Sequence, residues 1–210
     1  VMQRIFSQEL RFTRPDGSTY PDWEEKKLGE IAERITQRNT ELNENVLTIS
    51  AQEGLINQLK YFNNSVAAKN ISGYYLLHRD DFAYNKSYSK GYPMGAIKRL
   101  NNYPKGIVST LYICFRNKKE FANSFAEQYF ESGIHNRELE KVAQEGARNH
   151  GLLNIGVGDF FDTIVLLPCL DEQRQIADFL SAIDDKISLL SKQIQSTEQY
   201  KKGLLQQMFV

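Results

Sequence analysis

The chain has 210 residues, of which 41% are hydrophobic and 11% aromatic, a composition that supports a packed core and excludes wholesale disorder. Twenty-six basic and twenty-six acidic side chains cancel, so the net charge neither favours nor excludes any class of partner. No apolar run approaches the ~20 residues that a membrane-spanning helix needs, and no secretory signal opens the chain, which predicts a cytoplasmic protein without a membrane partner.

The first element is a short apolar segment that recurs at the other end of the chain. Residues 1–6 read VMQRIF and residues 204–209 read LLQQMF, with Gln and Phe in matching places. Because the second copy ends a helical pattern, the first is interpreted as the end of an equivalent preceding helix. The polar, turn-rich residues 7–23 predict a linker that leads into a domain.

The domain itself shows a mixed pattern of helices and strands. Apolar spacings of three and four predict a short helix over 28–35, and strand-like runs follow at 46–49, 73–77 and 106–115. Residues 118–131 and 136–144 predict two further helices. A last strand is predicted over 160–167, ending at Pro168 because proline cannot continue a ladder.

From Asp171 onward the sequence predicts one long helix of ~37 residues, about 55 Å in length at the usual rise. Apolar side chains alternate there by four and three, the 3.5-residue period of a coiled coil, which predicts a partner helix from this molecule or another. The seam comprises Ile176, Leu180, Ile183, Ile187, Leu190, Ile194, Thr197, Lys201, Leu204 and Met208.

Motifs for catalysis are missing from the sequence. It has no phosphate-binding loop, no dinucleotide fingerprint and no pair of adjacent prolines, and its three histidines are too dispersed to predict a metal site. Asp16 and the segment 24–26 superficially resemble a nuclease metal motif, but they lie in the polar linker rather than on rigid strands. We therefore expect no catalytic residues, with a nuclease kept as a rival interpretation.

The distribution of charge is more informative than its sum. The segment from Phe82 to Lys119 contains eight Lys and Arg side chains and no Asp or Glu, with tyrosines interleaved. Such a surface suits DNA or RNA, because cations neutralise phosphates while amides and hydroxyls reach base edges. The alternative is an ordinary basic surface whose acids lie elsewhere in the fold. The candidate DNA-binding residues in this segment are Lys86, Ser87, Tyr88, Lys90, Tyr92, Lys98, Arg99 and Asn102.

Two further loops supply candidates for DNA binding. Residues 146–151 read GARNHG, in which Arg148 suits guanine, Asn149 suits adenine and His150 adds a third polar group. The same residues are equally consistent with a plain turn before the last strand. Arg38, in the polar loop 36–39, is a further candidate in a segment that also reads as ordinary surface.

Segments at both ends of the domain resemble one protein family. Residues 167–173 read LPCLDEQ and residues 176–180 read IADFL, which resembles the start of the conserved helix in specificity subunits of type I restriction–modification systems. Residues 23–31, WEEKKLGEI, look like the entrance to a target recognition domain of that family, and residues 201–209 fit the end of its helix. Cys169 departs from the pattern, since a second proline or a small residue is commoner there.

The resemblance implies an α+β fold, in which an irregular mixed-sheet target recognition domain over 21–167 precedes a long coiled-coil spacer helix over 168–210. Residues 1–20 would be the end of a preceding conserved helix and a linker. This half of a specificity subunit would catalyse nothing and would read one half of a bipartite target in double-stranded DNA.

The resemblance also implies the partners. The helix would dock methyltransferase subunits, and a restriction subunit would complete the assembly. S-adenosylmethionine, ATP and Mg are expected in those partners, and no cofactor is expected in this chain. If the other half is absent, the exposed seam predicts an antiparallel homodimer with twofold symmetry. A coiled-coil adaptor without specific DNA binding is the rival interpretation.

Overall fold

The computed structural model describes residues 1–62, 71–143 and 153–208, and these ranges contain seven helices and ten strands. The helices are α1 (Met2–Phe6), α2 (Leu28–Ile31), α3 (Gln58–Phe62), α4 (Asn123–Glu131), α5 (Asn136–Val142), α6 (Val157–Asp162) and α7 (Leu170–Met208). The strands are β1 (Glu24–Lys27), β2 (Ala32–Arg34), β3 (Leu47–Ser50), β4 (Gly54–Asn57), β5 (Tyr75–His78), β6 (Phe82–Asn85), β7 (Ala96–Arg99), β8 (Lys105–Val108), β9 (Ile113–Asn117) and β10 (Ile164–Leu167).

Eight of these strands, β2 to β9, follow one another around a barrel-like ring. β6 pairs with β7 and β9, and β9 pairs with β2, all antiparallel. After β2 the chain runs beside β5, to which a β-bridge between Arg38 and Tyr75 joins it, and β5 pairs with β8. A parallel bridge between Val46 and Ile107 joins β8 to the β3–β4 pair, and β4 lies against β7 to close the ring.

Two apolar cores form on the two sides of the ring, because successive side chains of a strand face opposite ways. In β6, Ala83 belongs to the inner core, while Phe82 and Tyr84 belong to an outer core between the ring and the helices. The small side chains of Ala83, Ala96 and Cys114 help the inner core to fit inside such a narrow ring. Mixed helices and antiparallel sheets followed by one long helix confirm the predicted fold class.

One predicted strand proved to be two. Residues 106–115 form β8 and β9, because a tight turn at 109–112 reverses the chain between them. The backbone N–H of Tyr112 donates to the carbonyl of Ser109 at 3.1 Å across this turn. The turn contains neither Gly nor Pro, and its β-branched and aromatic neighbours therefore read as one uninterrupted strand.

The helix predicted over 118–131 begins only at Asn123, and two other elements differ at their boundaries as follows. The helix predicted over 28–35 ends at Ile31, and the chain passes directly into β2, where it pairs with β9. The strand predicted from Phe160 begins only at Ile164, because α6 occupies the preceding residues and buries Phe160 in the outer core. In both places long-range packing overrides the local apolar pattern.

The predicted long helix is confirmed as α7, which has 39 residues and extends about 58 Å at the usual helical rise. Its first turns pack on the domain itself, with α4 as a neighbouring helix, so Ile176 and Leu180 are covered by this molecule and not by a partner helix from another one. Ile183 is half-buried. Farther along, the predicted seam side chains are exposed, namely Ile187, Leu190, Ile194 and Leu204, and the Met208 side chain lies outside the described part. Among the described residues no helix is both long and apolar enough to cross a membrane.

The buried side chains of Glu172 and Gln173, with their hydrogen-bond partners, fix the start of α7 to the domain, and we call this cluster the joint. Glu172 is fully buried and accepts hydrogen bonds from Arg11 Nε at 2.9 Å and Trp23 Nε1 at 3.1 Å. Gln173 is also fully buried. Its Oε1 accepts from the backbone N–H of Ala122, and its Nε2 donates to the carbonyls of Glu120 and Pro168. The linker that the sequence predicts over 7–23 is therefore bonded into the base of the helix.

His135 is a second buried polar side chain, at the N-terminal end of α5. Its Nε2 lies 3.1 Å from Oγ1 of Thr163, which donates its own hydrogen to the Phe160 carbonyl at 2.7 Å. The hydroxyl must therefore accept from His135, which fixes the tautomer with hydrogen on Nε2. Burial lowers the pKa of His135 to about 4, since the charged ring would lose its hydration.

We expect His135 to make the fold sensitive to mild acid. Between the ordinary pKa of 6.5 and the folded pKa of about 4, the unfolded state binds more protons than the folded state. Stability is thus lost as pH falls through this window, by up to about 3 kcal/mol. Urea unfolding at pH 7 and pH 4.5 measures the loss, and His135→Gln is expected to lose less stability between the two pH values. An equal loss in the variant would contradict the assignment.

Candidate nucleic-acid interface

The ring has two open ends that differ in their loops. We call the end where β5, β7 and β9 begin the upper rim, and the end where they finish the lower rim. The strand registers place loops 36–39, 51–53, 71–74, 86–95 and 109–112 at the upper rim. Loops 79–81 and 100–104 lie at the lower rim.

The eight cations of the acid-free segment do not form one surface. Four of them pair with carboxylates from outside the segment, at the lower rim or along β7. The pairs are Lys98 with Glu131, Arg99 with Asp80 and Glu127, Lys105 with Glu41, and Arg116 with Asp81. For four of the eight cations, therefore, the alternative of an ordinary basic surface is correct, because their acidic partners come from elsewhere in the fold.

Lys98 and Tyr92 are both committed to an internal cluster. Lys98 is 8% exposed, and its ammonium contacts the Glu131 carboxylate and lies 3.0 Å from the Tyr92 hydroxyl. Tyr92 donates that hydroxyl to the same carboxylate at 2.7 Å. Removing a partner from such a pair is costly. Both side chains are thus engaged within the fold, and their contact with DNA stays a prediction.

Arg99 and Asn102 also lie apart from the other candidates. The Arg99 guanidinium bonds Asp80 at 2.5 Å and Glu127 at 3.1 Å, so its charge is neutralised by two carboxylates. Asn102 is exposed, but it lies on the lower-rim loop 100–104. The structure therefore separates both residues from the cations of the upper rim.

Three predicted candidates remain as cations of the upper rim without a carboxylate partner in the described ranges. The Arg38 guanidinium stacks 4.9 Å over the Tyr75 ring. Lys86 donates to the Ile155 carbonyl at 3.2 Å, and Lys90 is exposed with no partner among those residues. On the described upper-rim loops the sole carboxylate is Glu53. This end of the ring therefore keeps a positive charge that the lower rim largely loses.

The hairpin between β6 and β7 presents the neutral candidates. Ser89 and Tyr92 pair across it, and Tyr88, which directly precedes this pair, is 64% exposed beside half-buried Ser87. Gly95 closes the hairpin with a φ of 78°, and a Cβ there would collide with the Asn85 carbonyl. The hairpin is thus held at its base and offers hydroxyl groups at its tip.

The remaining candidates, Arg148, Asn149 and His150, lie outside the described residues. The chain resumes beside the upper rim, where the backbone N–H of Leu153 donates to the Lys86 carbonyl at 2.8 Å. Sequence reasoning missed Thr110 and Leu111 as exposed members of the rim, because the run 106–115 reads as one buried strand. Within the described ranges no group of three or more His, Cys, Asp or Glu side chains is placed to hold a metal ion.

Comparisons with known proteins identify the family. The sequence matches the family model of the type I restriction modification DNA specificity domain over residues 20–199. No curated protein matches it. The fold is similar to the HsdS subunit from Thermoanaerobacter tengcongensis, with a TM-score of 0.53 and 16% identity over 91% of this chain and 44% of that one.

A second similar structure comes from a study of complex assembly and conformational transition of the type I R-M system. Its TM-score is 0.55 at 16% identity, covering 97% of this chain and 48% of that one. This chain thus spans less than half the length of either protein. Because the family model covers most of the sequence, the chain belongs to the family of type I restriction–modification DNA specificity domains.

Proposed function

We propose that this chain reads one half of a bipartite target in double-stranded DNA, as part of the non-catalytic specificity subunit of a type I restriction–modification enzyme. Family membership supports DNA target recognition in general. The observation that carries the proposal is the charge of the upper rim. Arg38, Lys86 and Lys90 have no carboxylate partner in the described ranges, and the described loops of this rim contain one carboxylate, Glu53. Unpaired cations on one end of a ring suit a phosphate backbone.

The proposed division of labour follows the chain. Residues 21–167 form the recognition domain, residues 168–210 form a spacer helix that docks methyltransferase subunits, and residues 1–20 end a preceding helix. S-adenosylmethionine, ATP and Mg belong to the methyltransferase and restriction partners. The exposed part of α7 pairs with a second long helix, which in isolation is a second copy of this chain.

Methylation mapping tests this function most directly. A strain that carries the intact gene together with its methyltransferase genes is expected to show methyladenine in a bipartite motif. Deleting the gene is expected to remove that motif while leaving other methylation unchanged. A genome whose methylation pattern is the same with and without the gene would refute the proposal.

The contribution of the rim cations is tested by neutralising two of them. We expect Lys86→Gln together with Lys90→Gln to weaken binding to a duplex about tenfold and to lower the salt slope by about 2, one unit for each lost phosphate contact. Fluorescence anisotropy at several salt concentrations measures both quantities.

Lys105 provides a one-charge control, which is compared with Lys86→Gln and with Lys90→Gln taken singly. It lies at the opposite end of the ring and its ammonium bonds Glu41 at 2.8 Å, so Lys105→Gln also removes a positive charge. We expect this variant to bind as the unmodified protein does. Equal weakening in the control would show that the upper rim is not the contact surface.

A coiled-coil adaptor without specific DNA binding is the second candidate function. The long exposed seam of α7 and the four internally paired cations favour it. It predicts no retention on DNA at any salt concentration, whereas a recognition domain should be retained at low salt and released steeply as salt rises.

A further inference from the structure

Two large apolar side chains are exposed on the upper rim, among its polar and cationic groups. Leu111 is 70% exposed at the tip of loop 109–112, and Tyr88 is 64% exposed on the neighbouring hairpin. Most other exposed aliphatic side chains of the described ranges lie on α7, and four of them belong to its predicted seam. A single exposed leucine is common on any surface, so its setting decides whether it has a role.

The backbone around Leu111 is held firmly. The N–H of Tyr112 closes the turn on the Ser109 carbonyl at 3.1 Å, and the N–H of Leu111 bonds Ser109 Oγ at 3.3 Å. The Tyr112 hydroxyl lies 3.4 Å from Thr48 Oγ1, which ties the loop to β3. Leu111 is therefore presented at the tip of a braced turn that projects from the end of the ring.

The strand register also places this tip at the same end of the ring as Lys86. Tyr84 of β6 stands opposite Ile113 of β9, so the loop that begins at Lys86 and the turn that ends at Tyr112 leave the ladder at the same end. An apolar point on a rim that carries positive charge matches DNA, whose apolar base stack lies inside a charged backbone.

We propose that Leu111 inserts between two stacked base pairs of the half-site that the upper rim binds, a role that rests on the proposed function. Leucines and other apolar wedges open base steps in this way and kink the duplex. Steps that unstack easily, such as TA and CA, accept a wedge more readily than others. Leu111 would therefore favour particular steps without any hydrogen bond to a base.

The test uses the complete methyltransferase assembly and a duplex that carries the mapped motif. 2-Aminopurine replaces successive bases of this chain's half-site, excluding the adenine to be methylated, because methyltransferases extrude that base themselves. We expect a several-fold rise in fluorescence at one base step on binding. Leu111→Ala is expected to abolish that rise and to weaken binding about tenfold, with an unchanged thermal midpoint because the side chain is exposed.

Leu42 provides the control, since it is 71% exposed and follows Glu41, which bonds Lys105 at the lower rim. Leu42→Ala is expected to keep the fluorescence rise and the affinity. Absence of any rise, or its persistence in Leu111→Ala, overturns the insertion. So does a replacement of thymine by deoxyuridine that reproduces the loss of affinity without a fluorescence change, since Leu111 would then contact a methyl group. No binding to the motif at all would instead defeat the proposed function.

Discussion

Replacing Ile187, Leu190 and Ile194 of α7 by glutamate is expected to turn an associated protein into a monomer while the domain stays folded. These side chains are 56%, 47% and 60% exposed, so they contribute little to the domain itself. Each contributes about 1.5–3 kcal/mol when fully buried against a partner. Losing three of them, and placing charges in the seam, should weaken association at least about a thousandfold.

Sedimentation velocity over a range of protein concentrations measures this effect. Glutamates at Ser188, Gln195 and Gln199 provide the control, because they add the same three charges to the same helix at exposed positions off the seam. This control should associate as the unmodified chain does. A monomer in both cases would point to net charge as the cause, and a seam variant that still associates would exclude the helix as the interface.

Removing the buried carboxylate of Glu172 is expected to cause the largest loss of stability from a single substitution at the joint. Glu172→Ala leaves the guanidinium of Arg11 and the indole N–H of Trp23 without their acceptor, in a site where the carboxylate itself is fully buried. Truncating one partner of a buried pair costs about 3 kcal/mol or more. Urea unfolding followed by circular dichroism measures the change.

Glu172→Gln separates charge from shape, since the amide oxygen can still accept from Trp23. We expect it to lose about half as much stability as the alanine variant. Glu140→Ala, an exposed carboxylate on α5, should change stability by less than about 0.5 kcal/mol. In the full-length protein we also expect Glu172→Ala to relax the spacing between the two halves of the methylated motif. Unchanged stability would mean that the joint does not hold the helix.

The long helix was predictable because its signal is local. Apolar residues recur every three or four positions from Ile176, no proline intervenes, and the structure has one helix over the whole stretch. The ring was not predictable in the same way. Most of its strands have only four residues, and partners such as β2 and β9 are far apart in the sequence, so their pairing depends on tertiary packing.

The charge pattern shows the same limit for the site. Asp80 and Asp81 stand immediately before the acid-free segment, and Glu127 and Glu131 lie in α4, the first helix after it. Folding brings these acids onto Arg99, Arg116 and Lys98, which a linear count cannot reveal. Lys86 and Lys90 remain without a carboxylate partner in the described ranges because strand register carries them to the opposite end of the ring.

Helix α1, near the start of the chain, and helix α7, at its end, pack against the same helix, α4. Phe6 of α1 packs edge-on against Phe125 and Tyr129 of α4, and α7 lies against that same helix. Because α1 and α7 both contact α4, the domain cannot rotate freely relative to either helix. Any change in the angle between α1 and α7 must therefore also move α4 and the strand β7 that packs on it.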